Sequence, residues 1–221
     1  MLWWLAGQRL LSKPWLEAET AHAGPVHERP PVAPVRIGLF VFLGVVGALF
    51  SLAISAYFMR MASSDWWAVP VPRLLWVNTA VLVASSACLQ WAKIEAGRNH
   101  LQGMRQSLGV GLLFAILFLV GQIQAWRELV AAGYGLAANP ANSFFYMLTG
   151  LHGIHILGGL LVLGRTTARS FFTRSIPGLL RQSVDLCAIY WHFMLIVWLI
   201  LFALFAGWAN DFADLCRQLL T

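Results

Sequence analysis

The sequence predicts an all-α fold, an integral-membrane bundle of five transmembrane helices. Of its 221 residues, 59% are hydrophobic and only 11% are charged, against about 25% charged in soluble proteins. Mean hydropathy is +0.71. The few charges are also segregated. Residues 37–59, 74–92, 107–126, 143–164 and 186–209 contain no Lys, Arg, Asp or Glu. Each stretch is long enough to cross about 30 Å of hydrocarbon at about 1.5 Å per residue. Backbone in lipid must satisfy its own hydrogen bonds, and a helix does so locally. The apolar runs are continuous rather than alternating, which argues against a membrane β-barrel. The same composition argues against a soluble enzyme, since a charged coat is missing. Cys88, Cys187 and Cys216 are odd in number and form no CxxC pair, so they give neither a disulfide framework nor a zinc signature.

Taken in order, residues 1–36 form an N-terminal segment. Its start carries Trp3 and Trp4 and has no basic run ahead of the short apolar part, which fits an interfacial helix better than a cleaved signal peptide. Pro25, Pro30, Pro31 and Pro34 suit an extended linker, with a disordered tail as the alternative. The five spans occupy residues 37–209. Trp66, Trp67, Trp126 and Trp208 sit beside span ends and read as an aromatic belt. Residues 210–221 form a short polar tail.

The basic residues set the expected orientation. One side of the membrane would hold Arg9, Lys13, Arg29, Arg36, Lys93, Arg98, Arg105, Arg165, Arg169, Arg174 and Arg181. The other would hold only Arg60, Arg73, Arg127 and Arg217. The richer side is cytoplasmic, so the N-terminus is expected inside and the C-terminus in the periplasm. The net charge of +6 is then inner-leaflet bias, and no nucleic-acid partner is needed to explain it.

Chemistry, if present, must come from the few polar groups within the spans. The fourth span carries Thr149, His152 and His155, and the fifth carries Tyr190, Trp191, His192 and Trp198. His152 and His155 share a helix face, and His155 and His192 are expected at similar depths on adjacent antiparallel helices. A metal site would use His152, His155 and His192 but lacks a carboxylate or thiolate. A haem would need His155 with His192 as axial ligands. A proton relay would need titratable links, yet the spans hold no Asp or Glu. The reading preferred is structural: Thr149, His152, His155, Tyr190 and His192 make interhelical polar contacts. Trp191, Phe193 and Trp198 suit packing against lipid or another subunit, or ordinary bundle core.

Two segments carry a family resemblance. Phe144-Phe145-Tyr146-Met147-Leu148-Thr149-Gly150-Leu151-His152-Gly153-Ile154-His155 continues through Gly158-Gly159. It resembles the FxxLTGxHGxHVxxG segment of subunit III of haem–copper oxidases. Tyr190-Trp191-His192-Phe193, followed by Val197-Trp198-Leu199, resembles that family's closing YWHFVDxVWLxLF. The order and the last two spans match, and the likeness covers about residues 33–209. Two intramembrane acids of the family are absent. Its Ser-Glu pair falls within Phe42–Gly47, which has no carboxylate, and its Asp after WHFV is Leu195 here.

The resemblance implies an accessory, non-catalytic subunit of a cytochrome c oxidase in the bacterial inner membrane. It implies no cofactor in this chain, with haem and copper in partner subunits. It also implies packing against subunits I and II, phospholipids held in a cleft, and support of proton uptake through surface groups such as His100. The related accessory subunit of a nitric oxide reductase or a quinol oxidase shares these motifs. Rivals of other classes are a stand-alone b-type cytochrome and a small transporter. The transporter reading lacks broken helices, since no span contains proline.

Overall fold

The structure, a computed structural model, describes residues 34–61, 63–67, 69–173 and 178–207. The interfacial helix expected at the start of the 1–36 segment, the tail at 210–221, and Trp208 and Arg174 lie outside the described residues. Five helices follow one another: α1 (Pro34–Met61), α2 (Arg73–Gly97), α3 (Leu101–Ala131), α4 (Pro140–Phe171) and α5 (Gly178–Phe205). Among the described residues there is no strand. All five helices are long and apolar enough to span a membrane.

The helices outrun the charge-free stretches on which they were predicted. Charge does not end a helix, whereas proline and left-handed residues do. Pro34, expected in the linker, opens α1, where a fixed φ and a missing N–H suit the first turn. Asn139 caps α4 by accepting a bond from Ala141 N (3.1 Å), with Pro140 next in line. Gly133 (φ 90°) and Gly207 (φ 84°) follow α3 and α5 in the left-handed conformation common after helix ends. At 25 to 32 residues each, the helices reach about 38–48 Å, so their ends project into the headgroup zone. Glu95 and Asp185 are thereby on helices, at one end of the bundle. That end, the basic end, carries the start of α1 and the α2–α3 and α4–α5 connections.

Helices α2 to α5 close a ring: α2 packs on α3, α3 on α4, α4 on α5, and α5 on α2. The ring is filled by Leu82, Leu89, Phe118, Leu148, Ile156, Trp191 and Trp198. Close approach needs small residues. A Cβ on Gly111 would stand 3.4 Å from Cys88 and Leu89, and Ser85 donates to the Gly111 carbonyl across this contact (2.8 Å). Gly159 lies directly beneath Tyr190 and Trp191.

Helix α1 makes no comparable backbone approach to the ring. Aromatic side chains hold it instead. Phe42 stacks on Tyr190 at 6.4 Å, Phe50 meets His155 at 5.6 Å, and Tyr57 meets Trp66 and Phe144 at 4.8 and 5.8 Å between ring centroids. At the basic end Asp185 of α5 joins three helices by pairing with Lys93 of α2 (2.7 Å) and Arg36 of α1 (3.8 Å). Clefts remain on both flanks of α1.

Several basic-end charges are structural. Arg105 of α3 donates to the carbonyls of Ser170 (2.8 Å) and Thr173 (2.6 Å), closing the end of α4. Arg181 of α5 donates to Gly97 O (2.7 Å) at the end of α2. A guanidinium satisfies orphan carbonyls there and complements the negative end of the helix dipole. At the opposite end the Arg60 guanidinium donates to Asp65 through its two terminal nitrogens and holds that carboxyl below the usual carboxylate range.

Gly159→Ala should lower stability by about 1–3 kcal/mol, the usual cost of overpacking, because the added methyl collides with Tyr190 and Trp191. Thermal unfolding in detergent measures this, and an unchanged midpoint would contradict the packing.

Candidate functional site

A column of polar side chains crosses the ring. Asn78 of α2 donates to Gln122 of α3 (3.2 Å). Trp198 of α5 donates its Nε1–H to Thr79 of α2 (3.0 Å), and Thr79 in turn donates to the Leu75 carbonyl (2.8 Å). Trp126 of α3 donates to Thr149 of α4 (3.1 Å), whose hydroxyl donates to Phe145 O (2.6 Å). Tyr190 of α5 donates to the His155 carbonyl of α4 (2.7 Å). Thr149 and Tyr190 thus make contacts between helices.

The imidazoles are arranged differently from the sequence expectation. His152 is fully buried, and neither ring nitrogen has a hydrogen-bond partner among the described residues. Its ring sits among Phe50, Phe118 and Trp198, at centroid distances of 6.3, 5.8 and 5.1 Å. It therefore joins α1, α3, α4 and α5 as an aromatic ring rather than by hydrogen bonds. His155 and His192 turn Nδ1 to carbonyls of their own helices, Leu151 (2.8 Å) and Ala188 (2.6 Å). A carbonyl only accepts, so Nδ1 carries the proton in both.

Nor do His155 and His192 face each other. His155 lines the cleft between α1, α4 and α5, while His192 lines the cleft between α1, α2 and α5. They are not disposed as axial ligands to one haem. No group of three or more His, Cys, Asp or Glu stands together to hold a metal ion among the described residues. Trp191 and Trp198 are ring core rather than a lipid-facing surface, 0% and 1% exposed. Their spacing of seven puts both on the inward face of α5. Phe193 is half-buried on the α1 side and touches Gly47.

One cleft, about 840 Å³, lies between α1, α4 and α5. Val35, Leu39, Phe42, Ile154 and Val162 line its body, and Arg165 and Arg169 line it at the basic end. Among the described residues neither arginine pairs with an acid. The second cleft, about 560 Å³, carries Gln90, Lys93 and His192 on otherwise apolar walls. A third, about 920 Å³, lies between α1 and α4 toward the opposite end.

The sequence reading passed over the acids. Glu95 is buried at the end of α2 and accepts bonds from Arg98 (3.3 Å) and the His100 ring. Gly103 makes room for this pair, since a Cβ there would stand 2.5 Å from the carboxylate. Asp185 is the ion-pair hub at the same end. One signal was available: Glu95 is the only acid between Asp65 and Glu128, and Asp185 the only one between Glu128 and Asp211. A lone acid amid many basic residues is a candidate partner for them.

Two substitutions separate the polar roles. Trp198→Phe should cost about 1 kcal/mol through loss of the bond to Thr79. His152→Leu should stay within about 1 kcal/mol of the parent or exceed it, because an unpaired buried polar ring is removed. Detergent unfolding midpoints compare them. A His152→Leu loss larger than that of Trp198→Phe would mean the imidazole has a polar partner.

Comparison with known proteins agrees with this architecture. Residues 34–210 match the family model for cytochrome c oxidase subunit III. The chain is 29% identical over 185 residues to cytochrome c oxidase subunit 3 of Thermostichus vulcanus, covering 80% of this chain and 88% of that protein. It is 30% identical over 188 residues to the probable cytochrome c oxidase subunit 3 of Mycobacterium tuberculosis, covering 83% and 92%. The Synechocystis cytochrome c oxidase subunit 3 is 31% identical over 176 residues, covering 76% and 72%. With five spanning helices, a match along all of them and this level of identity, the chain belongs to the cytochrome c oxidase subunit III family, the accessory subunits of respiratory oxidase complexes.

Proposed function

We propose that this chain is the non-catalytic flank of a bacterial terminal oxidase in the inner membrane. In this reading O2 reduction and proton translocation occur in partner chains, with haem and copper in them. The chain packs against subunit I in a complex that also contains subunit II, and it orders phospholipid at that boundary. The charge bias of the basic end supports a cytoplasmic N-terminus and a periplasmic C-terminus.

One observation carries the reading. The cleft between α1, α4 and α5 pairs an apolar body with two arginines that have no acid partner among the described residues. Acyl chains and an anionic headgroup match those walls. The histidines support it as well, because their rings are committed to aromatic packing or to their own helices. A role in proton uptake falls to groups at the basic end, His100 with Glu95 foremost. Thr149 and Tyr190 act as interhelical polar contacts. His152, His155 and His192 act through ring packing and local bonds.

Tagging this chain and purifying the complex in mild detergent should bring down subunits I and II, with haem and copper in stoichiometry with subunits I and II alone. Stoichiometric haem on the isolated chain would overturn the reading. Arg165→Gln with Arg169→Gln should lower the phospholipid retained by the washed complex, measured as phosphorus per chain, while leaving subunit composition intact. A periplasmic reporter fused at the C-terminus should be active, and an inactive one would reverse the orientation.

A further inference from the structure

We propose a second, separate phospholipid site on the opposite end of the bundle, in the groove between α3 and α4 beside Arg127. The groove encloses about 730 Å³ and is walled by Ile123, Trp126, Val130, Tyr146 and Met147, with Leu136 as its rim. Its rim is built, not loose. Three side chains of the first two turns of α4 hold three successive carbonyls of the α3–α4 connection. Tyr146 donates to Tyr134 O (2.9 Å), Asn142 to Gly135 O (3.1 Å) and Ser143 to Leu136 O (2.6 Å).

The polar atoms of the walls are accordingly spoken for. The Tyr146 hydroxyl is used in that rim, and the Trp126 Nε1–H donates to Thr149. Among the described residues, what remains toward the groove is hydrocarbon and one guanidinium. Arg127 is the first charge beyond the apolar core of α3, so it sits where headgroups begin. Among the described residues it pairs with no acid. Glu128 is one step round the helix and does not line the groove. A ligand that complements these walls carries an apolar chain and a single anionic group at headgroup depth. That is an anionic glycerophospholipid of the leaflet on the α3–α4 side, its acyl chain along Ile123 and Met147 and its phosphate on Arg127. The belt residues Trp126 and Tyr146 flank the glycerol level.

The proposal rests on the membrane reading given above but uses none of the residues of the α1, α4 and α5 cleft. The test uses the whole purified complex containing this chain, placed in phosphatidylcholine nanodiscs doped with phosphatidylglycerol that carries a diazirine on its acyl chain. Light should label peptides bearing Ile123 or Met147. Arg127→Gln should reduce that label about fivefold, the ratio expected for about 1 kcal/mol per basic residue at an anionic surface, and Arg127→Lys should restore most of it. Met147→Trp, which fills an exposed position of the groove, should displace the label without touching the charge. Equal labelling of the parent, Arg127→Gln and Met147→Trp would make the lipid an ordinary annular one and overturn the site. A cross-link from the groove to a partner's helix in place of lipid would overturn it too. Loss of lipid only in the Arg165→Gln and Arg169→Gln variant would sustain the first cleft and reject this groove, so the two failures are distinguishable.

Discussion

A polar atom inside hydrocarbon has no water to turn to, and this single constraint organises the molecule. The backbone meets it by staying helical through five long segments. Side chains meet it by pairing across helices or by folding back on the preceding turn. Thr79, Thr149, Thr166 and Thr167 all donate to carbonyls four residues earlier, which leaves their oxygens free to accept. Thr79 and Thr149 then receive tryptophan N–H groups from neighbouring helices. Two indoles and two hydroxyls thereby tie α2 to α5 and α3 to α4 without any charge in the span. His152 and the Trp191 Nε1–H neither pair nor fold back among the described residues, and the His152 imidazole is surrounded by aromatic rings instead.

The same constraint explains where the charges went. Ionised groups that belong to the fold keep to the ends of the bundle, within reach of headgroups and water: Arg60 with Asp65 at one, and a larger set at the basic end. There Asp185 ties three helices, Glu95 closes the α2–α3 turn, and Arg105 and Arg181 cap the ends of other helices. A bias that serves topology also serves as mortar. Arg165 and Arg169 are different, because they line a cleft and pair with no acid among the described residues.

That cleft exists because α1 stands off from the ring. Gly44 and Gly47 on α1 are not used for close backbone contact; among the described residues a Cβ on Gly44 would meet open space and one on Gly47 would meet the Phe193 ring at 3.6 Å. Bulky rings at Phe42, Phe50 and Tyr57 act as spacers. In lipid, apolar surface is not driven together by water, so a helix held by a few rings leaves clefts that acyl chains fill at little cost. A subunit built this way offers adaptable hydrocarbon surface, which suits a flank and not a reaction centre.

The five spans, their order and the family were legible in the sequence because they depend on composition and on short motifs, and a charge-free run has few alternatives in a membrane. Helix ends were less legible: charge marks the lipid boundary, while Pro34, Asn139 and Gly207 mark where helices start or stop. Facing was not legible at all. Trp191 and Trp198 have the same hydropathy whether they meet lipid or core, and only the closure of α2 to α5 into a ring turned them inward. His155 and His192 lie on neighbouring helices as their spacing suggests, yet the placement of α1 between their clefts separates them. One-dimensional composition decides which segments leave water, since transfer free energy adds residue by residue. Which atoms then meet depends on helix rotation and spacing, and those are set by packing among residues far apart in the chain.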